Sequence, residues 1–219
     1  MFRFKQFSIE QELCAMKVGT DAVLLGAWAN GGQQVLDAGT GTGVIALMMA
    51  QRYPEAHVVG IDIDEGAVAQ AMLNVGQSPF VDRVRILQKR MQDHEGAYDA
   101  IVSNPPFFID SLNAPDAQRN TARHADTLTY TELMQAAWRL LTDDGELSVV
   151  VPFDYRRRME DEATFQGFFP ARVCGVKTVD TKPARRFLLS FRKHPCEHTF
   201  ETMTIGDEQY QQLTQDFYL

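Results

Sequence analysis

The run Val35-Leu36-Asp37-Ala38-Gly39-Thr40-Gly41-Thr42-Gly43, followed by Val44-Ile45-Ala46-Leu47-Met48-Met49-Ala50, leaves this chain few ways to fold. A short apolar strand, a turn of alternating glycines and an apolar helix make the nucleotide-binding opening of a doubly wound α/β sheet, where glycine permits tight turning and close backbone approach. The spacing of Gly39, Gly41 and Gly43 departs from the dinucleotide fingerprint, which keeps two residues between its second and third glycines to fit a pyrophosphate. No phosphate-loop Gly-Lys-Ser/Thr appears either. A second strand, His57 to Asp62, ends in an acid about twenty residues beyond the turn, where a carboxylate can accept both hydroxyls of a ribose. Asp37 is a further acid near the ligand and suits a cationic amino-acid moiety better than a phosphate. These signals favour S-adenosylmethionine over NAD or ATP; the bland alternative is a Rossmann-like sheet whose glycines serve the turn alone.

Downstream, the apolar run Ala100-Ile101-Val102-Ser103 reads as the end of a buried strand and leads into Asn104-Pro105-Pro106-Phe107. Two consecutive prolines cannot continue a sheet, so the backbone leaves it there. The exit suits a planar exocyclic amine: the amide oxygen of Asn104 and the carbonyl of Pro105 each accept one amine proton while Phe107 stacks on the ring. Sheets of this kind bind ligands at the carboxyl ends of their strands, so Asp37, Asp62 and Asn104 converge on one cleft.

In order and spacing, Asp37-x-Gly39-x-Gly41-x-Gly43, Asp62 and Asn104-Pro105-Pro106-Phe107 resemble class I S-adenosylmethionine-dependent methyltransferases of the amino-methylating group. Further segments resemble the bacterial tRNA1(Val) adenine-37 N6-methyltransferase family: Phe4 to Phe7, Cys14 to Asp21, Leu24 to Ala29, Gln77-Ser78-Pro79 and the closing Leu213 to Leu219. The resemblance spans nearly the whole chain. It implies a Rossmann-like class I fold, S-adenosylmethionine as cofactor, and an adenine N6 in the anticodon loop of a tRNA as acceptor. It also implies that residues 1–34 form an extension closing over the cofactor through Lys17, Gly19 and Thr20. At the end of the third strand, where related enzymes carry an acid on the cofactor adenine, this chain runs Lys89-Arg90-Met91, with an acid only at Asp93. A backbone group is the alternative contact there.

At 219 residues with 45% hydrophobic content, the chain fits one α/β domain over residues 1–219, with a mostly parallel seven-stranded sheet ending in an antiparallel hairpin, Arg172–Lys177 with Phe187–Arg192, at its edge. The expected order begins with an edge strand, Phe2 to Phe7, and a helix capped by Thr20 or Asp21. A turn at Asp143-Asp144-Gly145 precedes a strand at Glu146 to Val151, and the polar stretch from Phe108 to Thr127 reads as a substrate lid. Cys14, Cys174 and Cys196 show no framework spacing, and the N-terminus has no apolar leader, which points to a reducing cytoplasm. Apolar runs fall far short of a membrane span, and nothing marks an obligate protein partner. His194-Pro195-Cys196-Glu197-His198 invites a zinc reading, but the spacing is crowded and a solvated loop fits better.

A net charge of −8 opposes generalised phosphate attraction, so an RNA site must be local. Candidates are Arg119, Arg123 and His124 in the long loop, Lys182, Arg185 and Arg186 in the hairpin connection, and Lys5 between Phe4 and Phe7. Arg156 to Arg158 read equally well as a solvated helix face. Four functions therefore compete: an RNA adenine-N6 methyltransferase, a protein glutamine N5-methyltransferase, a DNA adenine methyltransferase, and a non-catalytic S-adenosylmethionine or RNA-binding module. Glutamine enzymes carry a helical domain for which the residues before Val35 leave no room, and DNA enzymes normally add a target-recognition domain.

Overall fold

A computed structural model describes residues 1–106 and 128–219. A short antiparallel ribbon, β1 (Phe2–Arg3) with β2 (Ser8–Ile9), precedes helix α1 (Thr20–Trp28). The alternation then runs β3 (Gln34–Ala38), α2 (Val44–Arg52), β4 (His57–Asp62), α3 (Glu65–Gly76) and β5 (Val84–Gln88). A 3-10 turn at Met91–Asp93 leads to β6 (Tyr98–Ser103). Beyond residue 127 come α4 (Tyr130–Leu140), β7 (Leu141–Pro152), α5 (Phe153–Gln166), β8 (Phe169–Lys177), β9 (Arg186–Arg192), β10 (Thr199–Thr204) and α6 (Glu208–Thr214).

Eight strands form one sheet in the order β10-β8-β9-β7-β6-β3-β4-β5, and only β9 runs against the rest. Strands covered on both faces must be apolar on both, and the central ones are: Val35 with Leu36, Ala100 with Ile101, and Val149 with Val150 are all fully buried. Residue parity divides them between two cores. Val35, Val58 and Ala100 face α1, α2 and α3, whereas Leu36, Ile61 and Ile101 face α4 and α5. Helix α4 starts from a reciprocal capping box, in which the Glu132 N–H donates to Thr129 Oγ1 at 3.2 Å and the Thr129 N–H donates to the Glu132 carboxylate at 2.9 Å.

The mostly parallel α/β architecture agrees with the sequence, with four local differences. The sheet has an eighth strand, β10, so the hairpin of β8 and β9 is interior: β9 lies between β7 and β8, and β10 covers β8. Asp143-Asp144-Gly145 is no chain reversal but a bulge within β7, because Leu141 pairs with Tyr98 and Glu146 already pairs with Ala100. Gly19, rather than Thr20 or Asp21, occupies the N-cap of α1. Phe2 to Phe7 makes no edge strand of the large sheet; Phe4 and Phe7 stack on each other at 4.6 Å and are buried, so Lys5 has no exposed aromatic partner in them. Strand order places the carboxyl ends of β6, β3 and β4 side by side, at the point where the chain order reverses. The candidate site lies there.

Candidate functional site

The glycine turn owes its shape to three left-handed residues: φ is +77° at Gly39, +54° at Gly41 and +81° at Gly43. A side chain would be strained at each. Both the Gly39 and Thr40 N–H groups donate to the Ile61 carbonyl at 2.9 Å, which ties the turn to the end of β4. No atom of the described residues stands within 4 Å of where a Cβ on Gly39 would point, and this glycine lines the cavity. Gly43 instead faces Ala71 of α3, which a Cβ would approach to 3.3 Å; it serves helix packing and does not line the cavity.

Asp37 stands behind the turn. Its Oδ2 accepts from Thr40 Oγ1 at 2.7 Å and from the Ala46 N–H in the first turn of α2 at 3.0 Å. The carboxylate thus serves as a helix N-terminal acceptor, while Oδ1 is buried without a partner among the described residues. Burial, and to a lesser degree the nearby Asp62, pushes the carboxyl up to about 7 against the downward pull of those two hydrogen bonds.

A cavity of about 390 Å³ opens in front of the turn. Asp62 lines it, with Oδ2 accepting from the Gly41 N–H at 2.9 Å and Oδ1 from the Asp64 N–H at 3.0 Å. Each oxygen retains a second lone pair for a ligand hydroxyl. The opposite wall is Cys14 to Val18. That segment is clipped into a loop by Gln11, whose Oε1 accepts from the Val18 N–H at 2.9 Å and whose carbonyl accepts from Lys17 Nζ. Burial pushes the Cys14 thiol up, so it stays protonated against the turn. Of the sequence candidates in this region, Lys17 lines the cavity whereas Gly19 and Thr20 do not; they begin α1.

At the end of β6, Ser103 Oγ donates to the Ala38 carbonyl at 2.8 Å and locks the two strand ends together. The next three residues, Asn104, Pro105 and Pro106, line the cavity. Asn104 Oδ1 is buried yet accepts nothing from the described residues. Such an acceptor costs about 1–3 kcal/mol while it stays unsatisfied. Phe107, Arg119, Arg123 and His124 lie outside the described residues, as does the whole stretch from Phe108 to Thr127 read as a lid.

On the β5 side the cavity meets Lys89, Arg90, Met91 and Gln92, while Asp93 does not line it. The Gln92 side chain is hydrogen-bonded to Glu132 of α4, and Arg139 holds the turn by donating to the carbonyls of His94 at 2.7 Å and Gln92 at 3.0 Å. The sequence reading missed Gln92, a neutral amide at the edge of the expected acidic position. Among the basic candidates, Lys182 and Arg185 are exposed, while Arg186 donates to Asp21 of α1 at 2.8 Å. Their connection lies at the carboxyl end of the sheet, since Arg186 pairs with Pro152 at the end of β7. Arg156 bonds Glu160 at 2.8 Å and stacks over Phe187 at 4.4 Å, an ordinary helix-face arrangement. No group of three or more His, Cys, Asp or Glu able to hold a metal occurs among the described residues, and His194 lies 3.9 Å from Asp143.

Comparison with known proteins shows the family. Residues 16–168 match the family described as Methyltransferase small domain. The whole chain is 42% identical to the tRNA1(Val) (adenine(37)-N6)-methyltransferase of Parabacteroides distasonis, covering 97% of it, and 39% identical to the protein of that name from Mannheimia succiniciproducens, covering 94%. In fold, 90% of the chain superposes on 96% of a protein described as a predicted O-methyltransferase from Agrobacterium tumefaciens, with a TM-score of 0.70 at 14% identity. The chain therefore belongs to the Methyltransferase small domain family and, within it, to the tRNA1(Val) (adenine(37)-N6)-methyltransferases.

Proposed function

We propose that this chain transfers a methyl group from S-adenosylmethionine to the exocyclic N6 of adenosine 37 in the anticodon loop of tRNA1(Val). The observation that carries the reading is Asn104 Oδ1, a buried acceptor without a partner among the described residues, beside Pro105 in a cavity walled by the glycine turn and Asp62. The residues suit the cofactor. Asp62 offers acceptors to ribose hydroxyls, Gly39 and Gly41 give the backbone close approach, Lys17 offers a cation to a carboxylate, and Cys14 to Val18, clipped by Gln11, form the facing wall.

When bound, the cofactor supplies a methyl group already activated on a sulfonium. Alignment is the task left to the chain. An adenine amine is a poor nucleophile because its lone pair is delocalised into the ring. Asn104 Oδ1 accepts one N–H and the Pro105 carbonyl the other, which favours a pyramidal nitrogen with its lone pair on the methyl side. As the C–N bond formed, the methyl–sulfur bond would break with its electron pair passing to sulfur, leaving a neutral thioether; the positive charge would move to the nitrogen, whose surplus proton passes to solvent, so no dedicated base is needed. A single-stranded loop is the acceptor from which a base is most cheaply extruded. The cytoplasm is where tRNA meets such a site, and the free thiols Cys14, Cys174 and Cys196 are at home there.

Incubating the protein with labelled cofactor and RNA lacking the modification should place label in N6-methyladenosine after digestion to nucleosides. Label confined to glutamine in a protein extract would overturn the reading. Lys182 and Arg185 are the proposed phosphate contacts, with Arg186 holding their connection to α1. Replacing both by Ala should weaken tRNA binding at every sequence and make the plot of log Kd against log salt shallower by about one unit per cation removed. An unchanged slope would remove them from the RNA surface.

A further inference from the structure

Helix α3 carries two amides in its otherwise apolar buried stripe, Gln70 and Asn74, one turn apart and essentially without solvent exposure. Neither belongs to a glycine turn or a strand end, and both reach the segment before the cavity wall. Asn74 Oδ1 accepts from the Glu10 N–H at 2.9 Å, and its Nδ2 donates to the Glu10 carbonyl at 2.8 Å, so one side chain pairs with both groups of a residue 64 positions away. The same Nδ2 donates at 2.8 Å to the carbonyl of Thr42, inside the glycine turn. Four residues earlier, Gln70 Oε1 accepts from the Leu13 N–H at 2.9 Å. One turn earlier again, Gly66 admits the Leu13 carbonyl so closely that a Cβ would stand 2.8 Å from it.

Gly66, Gln70 and Asn74 therefore form a track, at i, i+4 and i+8, along which residues 10–13 run antiparallel to the helix. The chain leaves that track at Cys14 and becomes the wall facing Gly41 and Asp62. We infer that Asn74 and Gln70 are positioning residues that set cofactor affinity by registering the loop of residues 11–18 against the glycine turn. Asn74 is the point of coupling, because its amide bonds the glycine turn at Thr42 and, at Glu10, the segment that leads into the facing wall. Neither residue lines the cavity; they act through backbone groups of the glycine turn and of residues 10–13, which lead into the wall. This inference rests on the reading of the cavity as the cofactor site.

The test is cofactor affinity by calorimetry for three variants, with steady-state kinetics. Asn74→Asp keeps size and acceptor but removes both donated bonds. Gly66→Ala improves helix propensity and removes no polar group, yet displaces Leu13, so it remains informative if Asn74→Asp fails to fold. Both should raise Kd for the cofactor by about tenfold or more, with the loss in KM for cofactor rather than in kcat, and amide exchange at Leu13 and Val18 should quicken. Asp62→Ala serves as the control for the site itself. If it weakens binding while Asn74→Asp and Gly66→Ala bind normally, the positioning role is overturned. If Asp62→Ala also binds normally, the cavity is not the cofactor site.

Discussion

Asn104→Ala should cut methyl transfer by on the order of 10²–10³-fold while leaving cofactor affinity nearly unchanged. The asymmetry follows from the state of Asn104 Oδ1 in the protein without its acceptor substrate: it is buried and receives no hydrogen bond from the described residues. Its desolvation is already spent in the folded protein, so an incoming amine gains the hydrogen bond without a fresh cost, and the gain is largest where the nitrogen must pyramidalise. Truncation removes that acceptor and also removes an unsatisfied polar group, so the variant should be no less stable than the parent protein. Asn104→Asp keeps an acceptor of the same reach and should recover part of the rate. Single-turnover transfer to an anticodon stem-loop, beside calorimetry with cofactor alone, separates the two quantities. Full activity in Asn104→Ala would take the residue out of the mechanism.

What could be read from sequence and what could not divides along the range of the interactions involved. Gly39, Gly41 and Gly43 have positive φ because only glycine tolerates it, and that demand is visible in one residue type at three positions. Asn104 at the cavity follows from a strand that two prolines must end. These are local constraints. The place of β9 between β7 and β8 is not, because strand pairing order depends on contacts distant along the chain; β10 escaped notice because of its six residues only Met203 and Thr204 are buried. Asp37 shows the limit most sharply. Its position at a strand end suggests a carboxylate facing ligand, but the Ala46 N–H in the first turn of α2 and Thr40 Oγ1 bind it behind the turn, and the side chain does not line the cavity. Gln70 and Asn74 did leave a signal, two amides at helical spacing in an apolar stripe, but nothing local names residues 10–13 as their partners.

Asp37→Asn should flatten the acid-side pH dependence of stability and weaken cofactor binding at the same time. The carboxyl is raised from 3.8 to about 7 in the folded protein, chiefly by burial, so the folded state holds its proton more tightly than the unfolded chain. Stability from this group is therefore fully present below about pH 4 and is lost as pH rises to about 7, a penalty of about 4 kcal/mol at neutral pH. An amide in its place still accepts from Thr40 Oγ1 and the Ala46 N–H but does not ionise. The stability difference between parent and variant, followed by urea unfolding from pH 4 to 8, should grow in favour of the variant across that window; parallel curves would show that Asp37 carries no such penalty. A chain that keeps a buried charge at this cost has a use for it. A sulfonium and an ammonium bound in front of the turn would favour the ionised carboxylate behind it. Cofactor affinity in the parent protein should then improve as pH rises toward 7, with proton release on binding, whereas Asp37→Asn should bind more weakly and lose that pH dependence.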